Sequence, residues 1–318
     1  MKRAVTVAIL GATLVASAAN LPAKERCGAI PAPDPLDPES LRALVVFHAE
    51  REAEAIAAAR SLGANAVVTH SAPDEGTAAL ARAAGVGYVA FLSTAEIDRA
   101  WDDPALHARY AAMKGVGGVY FEDEAVLEGY TSVDDQARAY RRLKELFPHA
   151  LAIHPTRLDP ILFDAGYLDA IYRPELTDVV TPYYYPVGTT LFGWFSEGDD
   201  WKGMLEPMLR ELAAKTPAGK PVLPVLQGFE QEGFPVGAAF VAEQFDVYRR
   251  VWPRNDSAAV FEWGDSRDPS PESPLVGLAF RPELAAGTRQ VFRAIERADA
   301  AASCAEKRTD PLPPRGGR

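Results

Sequence analysis

Basic clusters, catalytic-serine motifs and phosphate-binding loops are all missing from this chain of 318 residues. The net charge is −11, and no run of Lys or Arg is dense enough to hold nucleic acid or an anionic membrane. No Gly-x-Ser-x-Gly elbow is present to carry a serine nucleophile. The glycines at 115–118 precede an apolar run instead of following it, so they do not form a dinucleotide-binding loop. These absences argue against nucleic-acid binding, serine-hydrolase chemistry and nucleotide cofactors.

The first residues are typical of a secretion signal. Lys2 and Arg3 are followed by the apolar stretch AVTVAILGATLVASAA, and residues 16–18 offer small side chains at the usual cleavage positions. We therefore predict a signal peptide at 1–19 and a secreted or periplasmic protein that does not remain on the membrane. An uncleaved anchor is the alternative, although the apolar run is short for a membrane-spanning helix.

Cysteine is scarce, since Cys27 and Cys304 are the only two. An even cysteine count in an exported protein suggests a disulfide. The two residues lie near opposite ends of the mature chain, and a closed barrel brings its ends together. We predict that Cys27 and Cys304 are bonded to each other.

Eight apolar runs of strand length alternate with helical patterns after a proline-rich lead-in at 20–40. The runs lie at 43–48, 66–70, 87–93, 117–126, 150–155, 177–186, 220–230 and 258–265. The main helical patterns lie near 51–62, 76–84, 94–114, 133–147, 201–215, 238–251 and 281–300. Near-continuous apolar strands separated by helices favour a parallel sheet covered on its outside. The sequence predicts an α/β protein, a single-domain (β/α)8 TIM barrel at 41–304, with a disordered tail at 305–318. An open doubly wound sheet is the alternative, but eight units and no phosphate loop argue against it.

The stretch GGVYFEDEAV, at 117–126, combines a buried-looking strand with three consecutive acids. Side chains alternate along a strand, so Tyr120, Glu122 and Glu124 would share one face. Neighbouring carboxylates repel, which keeps one of them protonated to higher pH, as general acid/base chemistry requires. A strand that simply ends in a solvated acidic loop is the alternative.

Polar and aromatic residues gather at the predicted ends of the strands, where barrel enzymes place their sites. Aromatic rings pack on the apolar faces of sugars, and hydroxyl, imidazole and amide groups suit sugar hydroxyls. The predicted substrate-binding residues are His48, His70, Tyr120, His154, Tyr183, Tyr185, Trp194, Gln227, Trp263 and Asp265. The predicted catalytic residues are Glu124, Glu122, Glu230 and Glu262. The alternative for any single histidine or aromatic residue is a structural role at the rim.

Several of these strand ends resemble exported glycoside-hydrolase-like (β/α)8 proteins. Those proteins carry Asp-Glu-Pro after the fourth strand, Tyr-Pro after the sixth and Gln near the end of the seventh. Asp123-Glu124-Ala125, Tyr185-Pro186 and Gln227 match these motifs, with Ala in place of the first Pro. In the wider retaining superfamily the fourth-strand glutamate is the acid/base, which implies that role for Glu124. The nucleophile expected at the end of the seventh strand is replaced by Gln227, and Glu230 follows three residues later.

A second resemblance, to chitinase-like barrels, competes with the first. Glu122-x-Glu124 is similar to the last part of their Asp-x-Asp-x-Glu strand, and Tyr183 or Tyr185 and Trp263 match a tyrosine and a tryptophan of that family. There the acetamido group of the substrate replaces the enzyme nucleophile. Glu122 and Tyr120 depart from the two aspartates of the motif.

The sequence therefore predicts an exported glycoside hydrolase that acts on a poly- or oligosaccharide without a cofactor or metal. A barrel that binds carbohydrate without turnover is the main alternative. A metal-dependent hydrolase would have to use His48, His70 and His154 with Glu124 or Asp265, but the first strand lacks a His-x-His pair. The oligomeric state is left open.

Overall fold

Eight parallel strands, each paired with the next along the barrel wall, close into a barrel when the last pairs with the first. The computed structural model describes residues 36–37, 41–47, 49, 51–121, 132–188, 200–231, 234–264 and 275–309, with side chains described as far as residue 298. The barrel strands, in chain order, are β1 (Leu44–Phe47), β2 (Ala66–Val68), β3 (Gly87–Leu92), β4 (Gly118–Phe121), β5 (Leu151–Arg157), β6 (Val179–Tyr183), β7 (Val225–Gln227) and β9 (Ala258–Phe261). Two short strands lie outside the barrel wall and pair antiparallel with each other. They are β8 (Glu230–Gln231), between β7 and β9, and β10 (Leu275–Val276), after β9. The predicted single-domain (β/α)8 barrel is confirmed.

Nine α-helices are described. They are α1 (Ala53–Ser61), α2 (Glu75–Ala84), α3 (Thr94–Asp102), α4 (Pro104–Ala112), α5 (Val133–Leu146), α6 (Tyr167–Ile171), α7 (Trp201–Lys215), α8 (Ala239–Val251) and α9 (Pro282–Thr309). Ser93 and Ser132 begin α3 and α5 with reciprocal capping boxes, which satisfy backbone N–H groups at both helix starts. Gly63 follows the C-terminal end of α1 with φ +103°, a left-handed conformation that favours glycine at this position.

The helical pattern predicted at 94–114 is two helices, not one. Asp103 ends α3 and caps α4, since its carboxylate accepts hydrogen bonds from Ala105 N and Leu106 N. Pro104 occupies the first position of α4, where its missing N–H costs nothing and its fixed φ suits a helix start.

Alternation along the strands separates an inner from an outer layer of the core. In β1, Val45 and Phe47 belong to the cluster inside the barrel, whereas Leu44 and Val46 pack under the helices. The lead-in contributes Leu36 to the inner cluster, where it is 5% exposed. A Cβ on Gly117 would lie 2.6 Å from Leu36 Cδ1, so a glycine there makes room for this side chain. Leu36 thus closes the barrel at the N-terminal ends of its strands.

Asp178, just before β6, joins three elements at that same end of the barrel. Its carboxylate accepts hydrogen bonds from Ala152 N (2.8 Å), Lys144 Nζ (2.8 Å) and Tyr140 Oη (3.0 Å). Burial raises the pKa of Asp178, but the bonds from Ala152 and Lys144 outweigh it and hold the pKa below its usual range. The charged form therefore fastens α5 and β5 to β6.

We expect Asp178→Asn to lower the free energy of unfolding at pH 7 by about 1–3 kcal/mol, because it weakens three bonds to a partly buried charge. Since the pKa is lower in the folded protein, this stability is complete above the ordinary carboxyl pKa of about 3.9 and is lost as pH falls through the folded value. Urea unfolding of both proteins from pH 7 to pH 3 measures it. Asp246→Asn, at an exposed position of α8, is the control. A gap that stays constant down to pH 3 would contradict this role.

Several sequence predictions lie outside the described residues. These are the signal peptide at 1–19, most of the lead-in at 20–40, residues 310–318 of the tail, His48, Glu122, Glu124, Trp194, Asp265 and Cys27. Cys304 lies on α9 where side chains are not described, so the disulfide stays a prediction. Helix α9 extends to Thr309, beyond its predicted end at 300. Among the helices the structure describes, none combines the length and the apolar character needed to cross a bilayer.

Candidate functional site

Aromatic side chains form the last inward-facing layer of the barrel, at the C-terminal ends of its strands. We call this set the aromatic floor. It consists of Phe47, Phe91, Tyr120, Tyr183 and Phe261 on the strands and Tyr185 and Phe229 just beyond them. In (β/α)8 barrels this end holds the active site, so the aromatic floor lies where a substrate would enter.

Ring contacts run without a gap across the first half of the aromatic floor. His70 packs on Phe91 with ring centroids 4.3 Å apart, and Phe91 lies 6.1 Å from Tyr120. Tyr120 meets Phe47 edge-on at 5.2 Å. His70 is exposed and Phe91 is half-buried, so this side of the floor reaches solvent.

The second half of the aromatic floor is centred on Tyr185. Its ring stacks on Phe261 at 5.3 Å with an interplanar angle of 20°, and Tyr183 lies 5.5 Å away. Phe229 meets both Tyr185 and Phe261 edge-on, at 5.2 and 5.8 Å. Tyr183 and Tyr185 are 6% and 7% exposed, so each can offer a ligand little more than an edge. Phe261 is half-buried and offers more.

Gln227, predicted to bind substrate, instead holds the loop that follows β6. Its side chain is fully buried; Oε1 accepts from Val187 N (3.1 Å), and Nε2 donates to Val187 O (2.7 Å) and Phe229 O (3.3 Å). Gln244 of α8 in turn pairs with the backbone N–H and carbonyl of Gln227. Since both N–H groups of the Gln227 amide are used, the residue positions the mouth and does not present its amide to a substrate.

Glu230, predicted as a catalytic carboxylate, forms an ion pair with Arg281. Arg281 Nε donates to Glu230 Oε2, and Val236 N donates to Oε1 at 3.4 Å. The pair joins β8 to the turn before α9, and the Glu230 side chain is 17% exposed. A carboxylate held by a guanidinium in this way is a poor nucleophile, so the geometry favours a structural role.

Glu262 and Trp263, at the end of β9, are also less accessible than predicted. Glu262 is fully buried, and the peptide bond that precedes it is cis. Trp263 is half-buried and packs against the cluster under the helices, while its backbone N–H donates to Phe47 O at 2.9 Å. The Glu262 side chain is therefore closed to solvent, and Trp263 turns part of its ring toward the helices.

His154 lies on the outer side of the barrel wall. It alternates with the inward-facing Ile153, and its imidazole packs on Phe121 with centroids 5.4 Å apart. Desolvation lowers the pKa of His154 to about 3, so the ring is neutral at pH 7. His154 is therefore turned away from the aromatic floor, because β5 turns its odd-numbered residues inward.

One inward position of β5, Arg157, went unnoticed in the sequence. Its guanidinium binds Asp159 in a fork, with Nε to Oδ1 at 2.6 Å and Nη2 to Oδ2 at 2.9 Å. Arg157 and Tyr183 are register partners on β5 and β6, and both line a small cavity. Phe47, Phe91 and Phe261 also face inward and were not among the predicted site residues. The period of two along each strand would have revealed all four.

Of the three predicted histidines, the structure describes His70 and His154, and it does not bring these two together. The ring of His70 lies on Phe91 inside the mouth, whereas His154 lies outside the wall. Within the described residues, no group of three or more His, Cys, Asp or Glu side chains is arranged to hold a metal ion.

Comparison with known proteins shows the fold and no more. No family model matches the chain, and no curated protein sequence matches it. A GH2 β-galacturonidase from Eisenbergiella tayi bound to glycerol aligns with a TM-score of 0.54 and 13% identity over 80% of this chain and 51% of that one. A β-galacturonidase structure from the same organism, bound to galacturonate, aligns with a TM-score of 0.52 and 12% identity over 81% and 51%. A β-D-glucuronidase from Dictyoglomus thermophilum aligns with a TM-score of 0.51 and 14% identity over 75% and 46%. This chain thus spans about half the length of the three solved structures to which it is similar.

Proposed function

We propose that this chain is an exported glycoside hydrolase that cleaves an oligo- or polysaccharide, with Glu124 as its general acid/base. The observation that carries the proposal is the aromatic floor. A connected layer of aromatic rings at the active-site end of a closed barrel, with Phe91 and Phe261 partly exposed, suits the apolar faces of sugar rings, and its three tyrosines add polar edges.

The position of Tyr120 supports the choice of acid. Tyr120 faces into the barrel and contacts the rings of Phe47 and Phe91. Glu122 and Glu124 follow it by two and four residues in the sequence. A chain that stays extended beyond Phe121 would carry both carboxyl groups on the face of Tyr120. One of them would then hold a proton because the other is charged.

The chemistry assigned to Glu124 is transfer of that proton to the departing glycosidic oxygen as the bond to the anomeric carbon breaks. A retaining enzyme needs a second carboxylate about 5–5.5 Å away, and an inverting one needs it about 6.5–9.5 Å away. Glu230 is held by Arg281 and Glu262 is fully buried. We therefore assign the second role to Glu122 or Asp265, or to an acetamido group of the substrate.

The engagement of Glu230 and the burial of Glu262 also favour a second candidate function. A barrel with the aromatic floor and no competent carboxylate pair would bind carbohydrate without cleaving it. The two candidates share their ligand class and differ only in turnover.

A binding and hydrolysis screen tests both. The mature protein is incubated with laminarin, xylan, chitin oligosaccharides and polygalacturonate. Aryl glucuronides and aryl galacturonides are added because two of the structures of similar fold are named as a glucuronidase and a galacturonidase. Calorimetry measures binding, and new reducing ends or released aryl groups measure cleavage. Hydrolysis supports the first candidate, and binding without hydrolysis supports the second. If the protein neither binds nor hydrolyses any of these glycans, both candidate functions are contradicted.

We expect His70→Ala to weaken binding of the glycan found in that screen by roughly two- to tenfold, because it removes an exposed ring from the edge of the aromatic floor. Its effect on stability should be small, since the ring is exposed. Calorimetric titration and thermal unfolding measure the two effects. The control is His149→Ala, which changes a histidine at the opposite end of the barrel, before β5. Unchanged affinity in His70→Ala would remove this residue from the site.

A further inference from the structure

Two large apolar side chains are exposed among the described residues, and both lie on the face of the barrel that carries the aromatic floor. Phe163 is 78% exposed and Phe280 is 55% exposed. Phe163 lies between the end of β5 and the start of α6, and Phe280 lies just before α9, after β9 and β10. Both segments connect the C-terminal end of a strand to the next helix, so both belong to the rim of the mouth.

The turn that carries Phe163 is held in place. Phe163 N donates to Pro160 O at 3.0 Å, and the fork between Arg157 and Asp159 ties the start of the turn to the end of β5. Ile161 packs against the core. The phenyl ring therefore projects from a fixed support and not from a loose loop.

The turn that carries Phe280 is tied to the end of β9. Leu278 N donates to Glu262 O at 3.0 Å, and Ala279 N donates to Trp263 O at 2.9 Å. Leu278 itself is 2% exposed. This second ring also projects from a fixed support, which is bonded to the two residues that follow Phe261 of the aromatic floor.

The order of the strands places the two rings on different sides of the mouth. Between β5 and β9 the wall contains β6 and β7 on one side and β1 to β4 on the other. The aromatic floor, with rings on β1, β3, β4, β6 and β9, lies between them. A single sugar bound on the aromatic floor would not reach both Phe163 and Phe280. A chain of sugars that crosses the mouth would contact Phe163, the aromatic floor and Phe280.

We propose that Phe163 and Phe280 bind sugar units on either side of the aromatic floor, so that the ligand is an internal segment of an extended glycan. This rests on the proposed function, whose ligand class it narrows from any glycan to a chain that continues in both directions. Each ring gives a sugar an apolar platform that costs little side-chain entropy to use.

The test compares chain lengths of whichever glycan the wild-type protein binds in the screen above. Affinity should rise with length from the disaccharide to about the hexasaccharide. Phe163→Ala and Phe280→Ala should each weaken hexasaccharide binding by roughly two- to tenfold and leave disaccharide binding unchanged. Phe163→Tyr, which keeps the ring, should restore hexasaccharide affinity. Thermal unfolding should be unaltered in all three variants, because the side chains are exposed.

The outcomes separate this inference from the proposed function. A glycan that binds with the same affinity at every length, or equally well in both alanine variants, would overturn the inference and leave the function standing. A wild-type protein that binds no glycan would overturn both.

Discussion

Replacing Glu124 with Gln should lower the rate of glycan hydrolysis by about a hundredfold or more, because it removes the proton that the departing oxygen needs while keeping the shape of the side chain. Binding should survive, since the aromatic floor is unchanged. In the wild-type protein the acid must be protonated, so activity should be present below its pKa and fall as pH rises through it. Reducing-end assays and calorimetry on one glycan measure the two properties.

The matched control for this substitution is Glu145→Gln. Glu145 is exposed near the end of α5, at the opposite end of the barrel from the mouth. It should hydrolyse the glycan at the wild-type rate. If the activity of Glu124→Gln stays within tenfold of wild type, Glu124 is not the general acid, whichever residue is the second carboxylate.

Replacing Gln227 with Ala should lower the free energy of unfolding by about 3 kcal/mol or more, because it opens a cavity and leaves buried backbone groups without partners. The groups concerned are the N–H and carbonyl of Val187 and the carbonyl of Phe229. Tyr185 lies two residues before Val187, so its stacking on Phe261 should loosen and glycan affinity should fall as well. Denaturant unfolding and calorimetry measure both. The control is Gln290→Ala, at an exposed position of α9.

The substitution Gln227→Glu tests whether Gln227 only positions the loop or occupies the place of a catalytic nucleophile. Gln227→Glu would place an acceptor-only, charged group against two carbonyl oxygens in a fully buried site. We therefore expect lower stability and no gain in hydrolysis. An active variant of wild-type stability would show instead that this site accepts the carboxylate expected there from the first resemblance.

The architecture was predictable because it depends on short-range patterns. Each apolar run became a strand, since near-continuous hydrophobic segments must be buried on both faces. Helix starts followed from local chemistry, as the capping boxes at Ser93 and Ser132 show. The division at Pro104 was equally local and could have been predicted from Asp103 and Pro104. Leu36 was not predictable, because only the closed barrel creates the opening that it fills.

The site was less predictable, because the site residues were chosen as the last polar residue of each strand. That choice does not say whether the side chain faces into the barrel. The inward face depends on the parity of each strand, which placed Phe91 and Phe261 inside and His154 outside. Partners far apart in the sequence decided the rest. Glu230 is held by Arg281 and Gln227 by Val187, and no local pattern announces either contact.

The proposed function requires that sugars bind on the aromatic floor beside a proton donor at Glu124. A crystal structure of Glu124→Gln soaked with the hexasaccharide of the glycan that binds tests it most directly. We expect a glycan chain across the mouth, packed on Phe91 and Phe261, with the substituted side chain about 3 Å from a glycosidic oxygen. A glycan bound away from this end of the barrel, or with no glycosidic oxygen near position 124, would contradict it.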